Sequence, residues 1–292
     1  MVLDFDFLQS KDISEAVKIL NKYEKIQLLA GGTDLIVDIK NESKRLSDFN
    51  YLLDISNIDE LKIIKEDKNF IKIGAVVSLS DLINNNVIKA RFPLLVKAAR
   101  TIGSTQIRNR GTIGGNINNA SPAADLIPPL MALDAEVFLR SSDNERKVRL
   151  LDYVSGPYQT VRKSNEIMLE VILPILTDNY YFAFGKIGRR KALNIARLNI
   201  ALVAGIVKNK IIDIRVVPGA ATPYPQRFSQ VEEYLLHREI SKIDFAELKL
   251  IAGKEMLFIT GERWSTPYKK SAIGTLLERA LKEVIEEANH HE

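Results

Sequence analysis

The chain has 292 residues, of which 46% are hydrophobic and 27% charged, a composition typical of a globular protein with two or three domains. Because cysteine is absent, disulfides, thiolate zinc sites, cysteine nucleophiles and cysteine-ligated iron–sulfur clusters are excluded, and redox chemistry would need an organic cofactor. The net charge of +4 comes from scattered basic residues rather than a clustered stripe, so we expect no binding of nucleic acid.

Neither a membrane segment nor a metal site is expected. No apolar run approaches the roughly 20 residues that a membrane span needs, and the first residues lack the charged leader and apolar core of a signal peptide. The histidines, His237, His290 and His291, have no second ligand at a metal-binding spacing. We therefore expect a cytoplasmic protein with no membrane span and no metal ligands.

The predicted elements form three units along the chain. The first unit contains a helix over 14–23 and strands over 25–30 and 51–55. The second contains a hairpin within 61–74, short helices over 80–84, 92–99 and 124–132, and strands over 135–139 and 166–174. The third contains a hairpin of strands over 200–207 and 211–217, then helices over 228–236, 244–256 and 269–288. We expect domains over residues 1–56, 57–176 and 177–292.

Two glycine-rich runs carry the chemistry of this sequence. Residues 28–35 include Gly31-Gly32, and residues 112–116 include Gly114-Gly115, each among small polar residues. Glycine has no Cβ, so backbone N–H groups can approach a phosphate closely. Neither run matches the dinucleotide fingerprint G-x-G-x-x-G or the P-loop. Two such loops favour a diphosphate ligand, although one isolated run would also fit a tight turn between a strand and a helix.

Four motifs together resemble one known family. They are AGGTDL at residues 30–35, QIRNRGTIGGN at 106–116, SPAADLIPPL at 121–130 and FGKIGRRKALNIA at 184–196. In this order they are similar to the medium, FAD-binding subunit of the molybdenum hydroxylases, which include xanthine dehydrogenase, carbon monoxide dehydrogenase and aldehyde oxidoreductases. The resemblance implies an α+β fold. It consists of two α/β FAD-binding subdomains, as in the vanillyl-alcohol-oxidase-like FAD fold, and a C-terminal domain of a small antiparallel sheet with helices.

The resemblance also implies a set of cofactor-binding residues. The two glycine runs would wrap the pyrophosphate of FAD, Ile102 would lie beside the flavin ring, Asp125 near the sugar and ribityl groups, and Lys186 near the isoalloxazine. The complete set is Leu28, Leu29, Ala30, Gly31, Gly32, Thr33, Asp34, Leu35, Ile102, Thr112, Ile113, Gly115, Asn116, Ser121, Ala124, Asp125, Met168 and Lys186. Arg189 and Arg190 would either line the path of the electron acceptor or dock the partner subunits. No histidine or cysteine lies in the motifs, so the FAD is expected to be non-covalent.

The family's division of labour implies that substrate chemistry occurs elsewhere, so no catalytic residue is assigned to this chain. A large partner subunit would carry molybdopterin, a small partner would carry two 2Fe-2S clusters, and the FAD here would pass their electrons to an external acceptor. A dimer of heterotrimers is expected. The preferred substrate is an aldehyde of the glyceraldehyde type. Carbon monoxide is disfavoured because Thr33-Asp34 and Asn194-Ile195 depart from the His-Ser and Asp-Tyr of those enzymes.

Several alternatives stay open from the sequence. The chain could serve a carbon monoxide, purine or N-heterocycle dehydrogenase, or it could be a stand-alone FAD reductase with its own acid or base. A non-catalytic scaffold that keeps the fold without FAD is a further alternative, although the intact glycine pairs count against it. A family branch with an additional iron–sulfur cluster in this subunit is excluded by the absence of cysteine.

Overall fold

Three sheets, one in each third of the chain, organise the fold. The computed structural model describes residues 5–46, 48–190 and 194–291, so three residues of the motif at 184–196 lie outside the described part. The sheets have three, five and three strands, and a two-stranded hairpin accompanies the second sheet. Within the described residues, no helix is both long enough and apolar enough to cross a membrane.

The first unit is a small parallel sheet with two helices. Its elements are β1 (Asp6–Gln9), α1 (Ile13–Lys22), β2 (Ile26–Leu29), α2 (Leu35–Lys40) and β3 (Tyr51–Asp54), with strand order β1-β3-β2. The side chain of Asp12 begins α1 by accepting a hydrogen bond from the N–H of Glu15. The predicted helix and the two predicted strands are confirmed. Strand β1 was not predicted, because it lies at the sheet edge and has no buried side chain to give a period-two pattern.

The second unit is an antiparallel sheet with seven short helices. The strands are β4 (Ile64–Glu66), β5 (Phe70–Gly74), β6 (Glu136–Arg140), β7 (Glu145–Arg149), β8 (Val154–Gly156), β9 (Gln159–Thr160) and β10 (Ile167–Pro174). The helices are α3 (Leu79–Asn84), α4 (Asn86–Arg91), α5 (Pro93–Arg100), α6 (Thr105–Arg110), α7 (Ile113–Asn119), α8 (Ile127–Ala132) and α9 (Leu150–Tyr153). Strand β10 lies at the centre of the order β4-β5-β10-β6-β7, and six of its eight residues are buried.

The second glycine run begins helix α7, which corrects the prediction of a loop. The hydroxyl of Thr112 accepts a hydrogen bond from the N–H of Gly115 at 3.0 Å and so begins the helix. Glycine disfavours helices, which is why the sequence pattern did not indicate one. Glycine is nevertheless required at 114, because a Cβ there would lie 2.6 Å from the carbonyl oxygen of Ala75.

The third unit is a three-stranded antiparallel sheet covered by helices. Its elements are β11 (Tyr180–Ile187), β12 (Leu198–Val207), β13 (Lys210–Gly219), α10 (Ser229–Leu235), α11 (Phe245–Thr260) and α12 (Thr266–His291). Alternate residues of β12 pack in opposite directions. Ile200 and Leu202 pack against the helices of this unit, whereas Ala201 and Val203 pack into the core of the second unit. The central strand therefore joins two hydrophobic cores.

We predict that Gly114→Ala destabilises the protein. The added Cβ would force the start of α7 away from Ala75, and overpacking of this kind costs about 1–3 kcal/mol. The free energy of unfolding, measured with urea, should fall by that amount. In the control Gly111→Ala the nearest atom would be 3.1 Å from the new Cβ, so the loss should be smaller. Equal stability of Gly114→Ala and the wild-type chain would contradict the close contact.

Candidate functional site

A cavity of about 780 Å³ lies between the first and second units. Both glycine runs line it, and their backbones are joined through the segment between α6 and α7. A Cβ at Gly31 would lie only 2.0 Å from the carbonyl oxygen of Arg110, so the first run packs directly on that backbone. The N–H of Leu79 donates to the carbonyl oxygen of Gly111 and fixes the same segment from the other side. The two runs therefore form one continuous wall.

The first run presents backbone donors to the cavity. Among the hydrogen bonds of residues 5–46, 48–190 and 194–291, none is donated by the N–H groups of Gly31, Gly32, Thr33 or Asp34. Gly32 has a positive φ of 71°, which turns this backbone sharply between β2 and α2. Free N–H groups on a backbone that begins with two glycines are suited to the oxygens of a phosphate.

The second run contributes a buried acceptor. The side-chain oxygen of Asn116 is buried and has no hydrogen-bond partner among the described residues, and Asn116 lines the cavity. A buried polar atom without a partner is costly, so this oxygen is a site for a hydrogen-bond donor from water or from a bound molecule. Hydroxyl groups of a nucleotide sugar or a ribityl chain would supply one. The donors of the first run and this acceptor together fit a nucleotide diphosphate.

Two neighbouring side chains hold this part of the wall in place. Burial raises the pKa of the Tyr153 phenol to about 12, so the hydroxyl stays protonated and donates to Asn118 Oδ1 at 2.6 Å. Asn118 in turn donates to the carbonyl oxygen of Gly114 at 2.8 Å. The start of α7 is thus fixed by side chains as well as by its contact with Ala75.

Three charged side chains of the first unit, Asp34, Asp38 and Arg45, line the cavity. Burial and the negative charge of Asp38 raise the pKa of Asp34, whereas the positive charge of Arg45 lowers it. The guanidinium of Arg45 is 2.5 Å from a carboxylate oxygen of Asp38 and 4.4 Å from the centroid of the Tyr158 ring. Tyr158 has a positive φ of 58° in the turn between β8 and β9. The Arg45–Tyr158 stack therefore joins the first unit to the second beside the cavity.

A buried ion pair lies behind the cavity wall. Lys186 Nζ is 2.6 Å from Asp125 Oδ2, and each side chain is 7% exposed. Lys186 also donates to the carbonyl oxygen of Thr101 at 3.1 Å, next to Ile102 of the cavity wall. Asn199 donates to the second carboxylate oxygen of Asp125 at 2.9 Å. Burial raises the pKa of Asp125, whereas Lys186 first and Asn199 second lower it.

The structure brings most of the predicted site residues to the cavity. Those that line it are Leu28, Ala30, Gly31, Gly32, Thr33, Asp34, Leu35, Ile102, Thr112, Gly115, Asn116 and Met168. Those outside the lining are Leu29, Ile113, Ser121, Ala124, Asp125 and Lys186. Lys186, which is paired with Asp125, donates to the carbonyl oxygen of Thr101, the residue before Ile102 of the lining. No group of three potential metal-ligating side chains was found among the described residues.

Several lining residues were not predicted from the sequence. Asp38, Arg45, Tyr158 and Arg162 belong to no glycine motif, and they reach the cavity only through the packing of the first two units. Arg162 is fixed there because its guanidinium donates to the carbonyl oxygen of Glu166 at 2.7 Å. A single sequence carries no signal for such long-range neighbours.

Comparisons with known proteins agree with this geometry. Residues 3–176 match the family model described as the FAD binding domain in molybdopterin dehydrogenase, and residues 183–284 match the CO dehydrogenase flavoprotein C-terminal domain. The chain is 32% identical over 281 residues to the glyceraldehyde dehydrogenase medium chain of Sulfolobus acidocaldarius, with 96% of this chain and 98% of that protein covered. It is 30% identical to the nicotinate dehydrogenase FAD-subunit of Eubacterium barkeri, with 97% of each chain covered.

The structure also resembles a solved structure over nearly its whole length. A chain of the carbon monoxide dehydrogenase of Hydrogenophaga pseudoflava, in a form that lacks the Mo-pyranopterin moiety of the molybdenum cofactor, has a TM-score of 0.89 and 30% identity. The comparison covers 98% of this chain and 99% of that chain. The expected fold, two FAD-binding subdomains followed by an antiparallel sheet with helices, is thereby confirmed.

We predict that Asn199→Leu destabilises the protein. The substitution removes the amide that donates to Asp125 and leaves a buried carboxylate oxygen without this partner, at a cost of about 1–3 kcal/mol. Urea unfolding would show the loss. The same change at the exposed Asn86, which begins α4, should alter stability by less than about 0.5 kcal/mol. If the two variants were equally stable, the Asn199–Asp125 hydrogen bond would be unimportant for the fold.

Proposed function

Because this chain belongs to the family of FAD-binding subunits of the molybdenum hydroxylases, we propose that it binds FAD non-covalently in the cavity between its first two units. Its relatives are subunits of dehydrogenases, and the chain is the electron-transferring oxidoreductase subunit of such an enzyme. The observation that carries the proposal is a pair of unfilled hydrogen-bonding sets among the described residues: the N–H groups of Gly31 to Asp34 donate no hydrogen bond, and the buried side-chain oxygen of Asn116 accepts none.

The lining residues are assigned distinct roles. The N–H groups of the first glycine run, with Thr112 and Gly115, would hold the diphosphate. Asn116 would accept a hydrogen bond from a hydroxyl of the cofactor, and Ile102 and Met168 would provide apolar contacts. When bound, FAD supplies the chemistry of accepting electrons singly and delivering them in pairs. The chain itself binds the cofactor, orients it and adjusts its electrostatic surroundings.

The role proposed for Lys186 depends on Asp125. A cation near the reduced flavin stabilises its negative charge. In this chain the carboxylate of Asp125 neutralises part of the positive charge of Lys186, because the carboxylate and the ammonium lie 2.6 Å apart in a buried site. Both carboxylate oxygens of Asp125 already accept hydrogen bonds within the chain. We therefore assign Asp125 the task of holding Lys186, in addition to any contact with the sugar of the cofactor.

The partners and substrate are proposed from the relatives. A large subunit with molybdopterin, a small subunit with 2Fe-2S clusters, a dimer of such heterotrimers and an external electron acceptor complete the proposed enzyme, located in the cytoplasm. An aldehyde of the glyceraldehyde type is the favoured substrate, supported by the 32% identity to a glyceraldehyde dehydrogenase medium chain. An N-heterocycle such as nicotinate is the second candidate, supported by 30% identity across 97% of the relative.

The proposed cofactor can be tested by spectroscopy of the purified chain. We expect flavin absorption bands near roughly 370 and 450 nm, and release of the yellow compound as FAD on acid precipitation. A colourless chain that also fails to take up added FAD would contradict the proposal. Activity of the assembled enzyme with glyceraldehyde, nicotinate and carbon monoxide would then distinguish the substrate candidates.

We predict that Arg45→Gln weakens FAD binding by about tenfold. Without the guanidinium, Asp34 and Asp38 leave uncompensated negative charge in the cavity that would hold an anionic diphosphate. Isothermal titration of the apoprotein with FAD measures the change. The exposed Lys40→Gln removes the same charge from the end of α2 and should bind FAD like the wild-type chain. Equal affinities for all three proteins would exclude a role for Arg45.

A further inference from the structure

Basic and aromatic side chains form one patch on the surface of the third unit. We call the surface formed by Arg197, Arg263, Trp264, Tyr268 and Lys269 the cationic surface. The Arg197 guanidinium lies 5.1 Å from the centroid of the Tyr268 ring. Arg263 lies in the turn between α11 and α12, where its N–H donates to the hydroxyl at the start of α12 at 2.8 Å. The surface thus combines the loop before β12 with the beginning of the C-terminal helix.

Among the described residues, the basic side chains of this surface contact an aromatic ring or backbone carbonyl oxygens and form no salt bridge. In the part of the chain that the structure describes, no carboxylate forms a salt bridge with Arg197, Arg263 or Lys269. Burial lowers the pKa of the Lys269 ammonium, and the charges of Arg263 and Arg197 lower this pKa further. The repulsion between these cations in the free chain decreases when a negatively charged group binds against them.

The aromatic residues of the surface point to a protein as the bound molecule. Trp264 is 85% exposed and Tyr268 is 45% exposed. Tryptophan, tyrosine and arginine are the residue types that contribute most to the affinity of protein–protein interfaces. The surface shows no continuous basic stripe of the kind that follows a nucleic acid backbone, because its cations surround one short turn. A compact acidic patch on a protein matches both the charge and the composition.

The cationic surface adjoins the end of the sheet that carries Lys186. Lys269 Nζ donates to the carbonyl oxygen of Ala220 at 2.6 Å, and the N–H of Ala220 donates to the carbonyl oxygen of Pro122 in the same loop as Asp125. In the sheet, Lys186 pairs with Asn199, which pairs in turn with Gly219, the residue before Ala220. A protein that docks on this surface therefore lies beside the segment that backs the cavity wall.

We propose that the cationic surface docks an acidic face of the iron–sulfur protein that delivers electrons to this chain. The inference rests on the proposed function, because it assumes that FAD occupies the cavity. It assigns to Arg263 and Lys269 the attraction of the partner, and to Trp264 the apolar contact at the centre of the interface. Electrostatic attraction of this kind chiefly raises the rate of association and falls as salt screens the charges.

The test uses an acidic 2Fe-2S electron-transfer protein as the probe. Reduced plant-type 2Fe-2S ferredoxin is mixed with the FAD-loaded full chain, and flavin reduction is followed by stopped-flow absorption at increasing ionic strength. We expect the rate to fall steeply with salt in the wild-type chain. Arg263→Glu should slow the reaction at low salt by about tenfold or more and flatten the salt dependence, with FAD affinity unchanged.

Two further variants make the test specific. Lys208→Glu reverses a charge in the turn between β12 and β13. The ten residues of β12 separate Lys208 from Arg197 of the cationic surface, a distance of about 30 Å at roughly 3.3 Å per residue. This variant should react like the wild-type chain. Trp264→Ala should slow the reaction at every ionic strength without changing its salt dependence.

The proposal would be overturned by three results. One is a wild-type rate that does not depend on salt, and another is an equal loss in Arg263→Glu and Lys208→Glu, which would show an effect of net charge alone. The third is inhibition of the reaction by a short DNA duplex together with unchanged ferredoxin rates in Arg263→Glu, which would indicate a nucleic acid surface. If the wild-type chain binds no FAD, the proposed function fails first, and the absorption spectrum shows this independently.

Discussion

Close backbone contact at glycine is the constraint on which the rest of the structure depends. Gly31 packs on the carbonyl oxygen of Arg110, and Gly114 packs on that of Ala75, at distances that leave no room for a side chain. The first contact joins the first unit to the second, and the second contact positions the start of α7 within the second unit. Together they leave backbone N–H groups facing the cavity. The absence of side chains thus has two consequences at once, since it allows the units to approach and leaves space for a ligand.

The site is built in layers around that wall. Asn118 and Tyr153 fix the start of α7 from one side, and Lys186 reaches Thr101 from the third unit. The ion pair of Lys186 and Asp125 is buried, so its net contribution to stability is small in comparison with the cost of removing one partner. The ion pair fixes the position of the Lys186 ammonium group relative to the cavity.

Much of the fold was predictable because the signals were local. The helical period of α1, the apolar run of β2 and the hairpin of β12 and β13 each follow from residues close in sequence. The two glycine runs were recognised in the sequence, and both line the cavity. The helical state of Gly114 and Gly115 was not, because tertiary contact with Ala75 outweighed a weak intrinsic propensity. Arg45 and Tyr158 were missed for a different reason, since neither belongs to a motif and only the packed units bring them together.

The two-sided burial of β12 bears on how the chain acquires its structure during synthesis. The core of the second unit includes Ala201 and Val203 of β12. These residues leave the ribosome after all the strands of the second unit, β4 to β10. Until they arrive, the nascent second unit has an uncovered apolar face. Translation of β12 therefore completes a core that was begun much earlier in the chain. A chain truncated before β12 would expose to chaperones and proteases an apolar surface that the full-length protein buries.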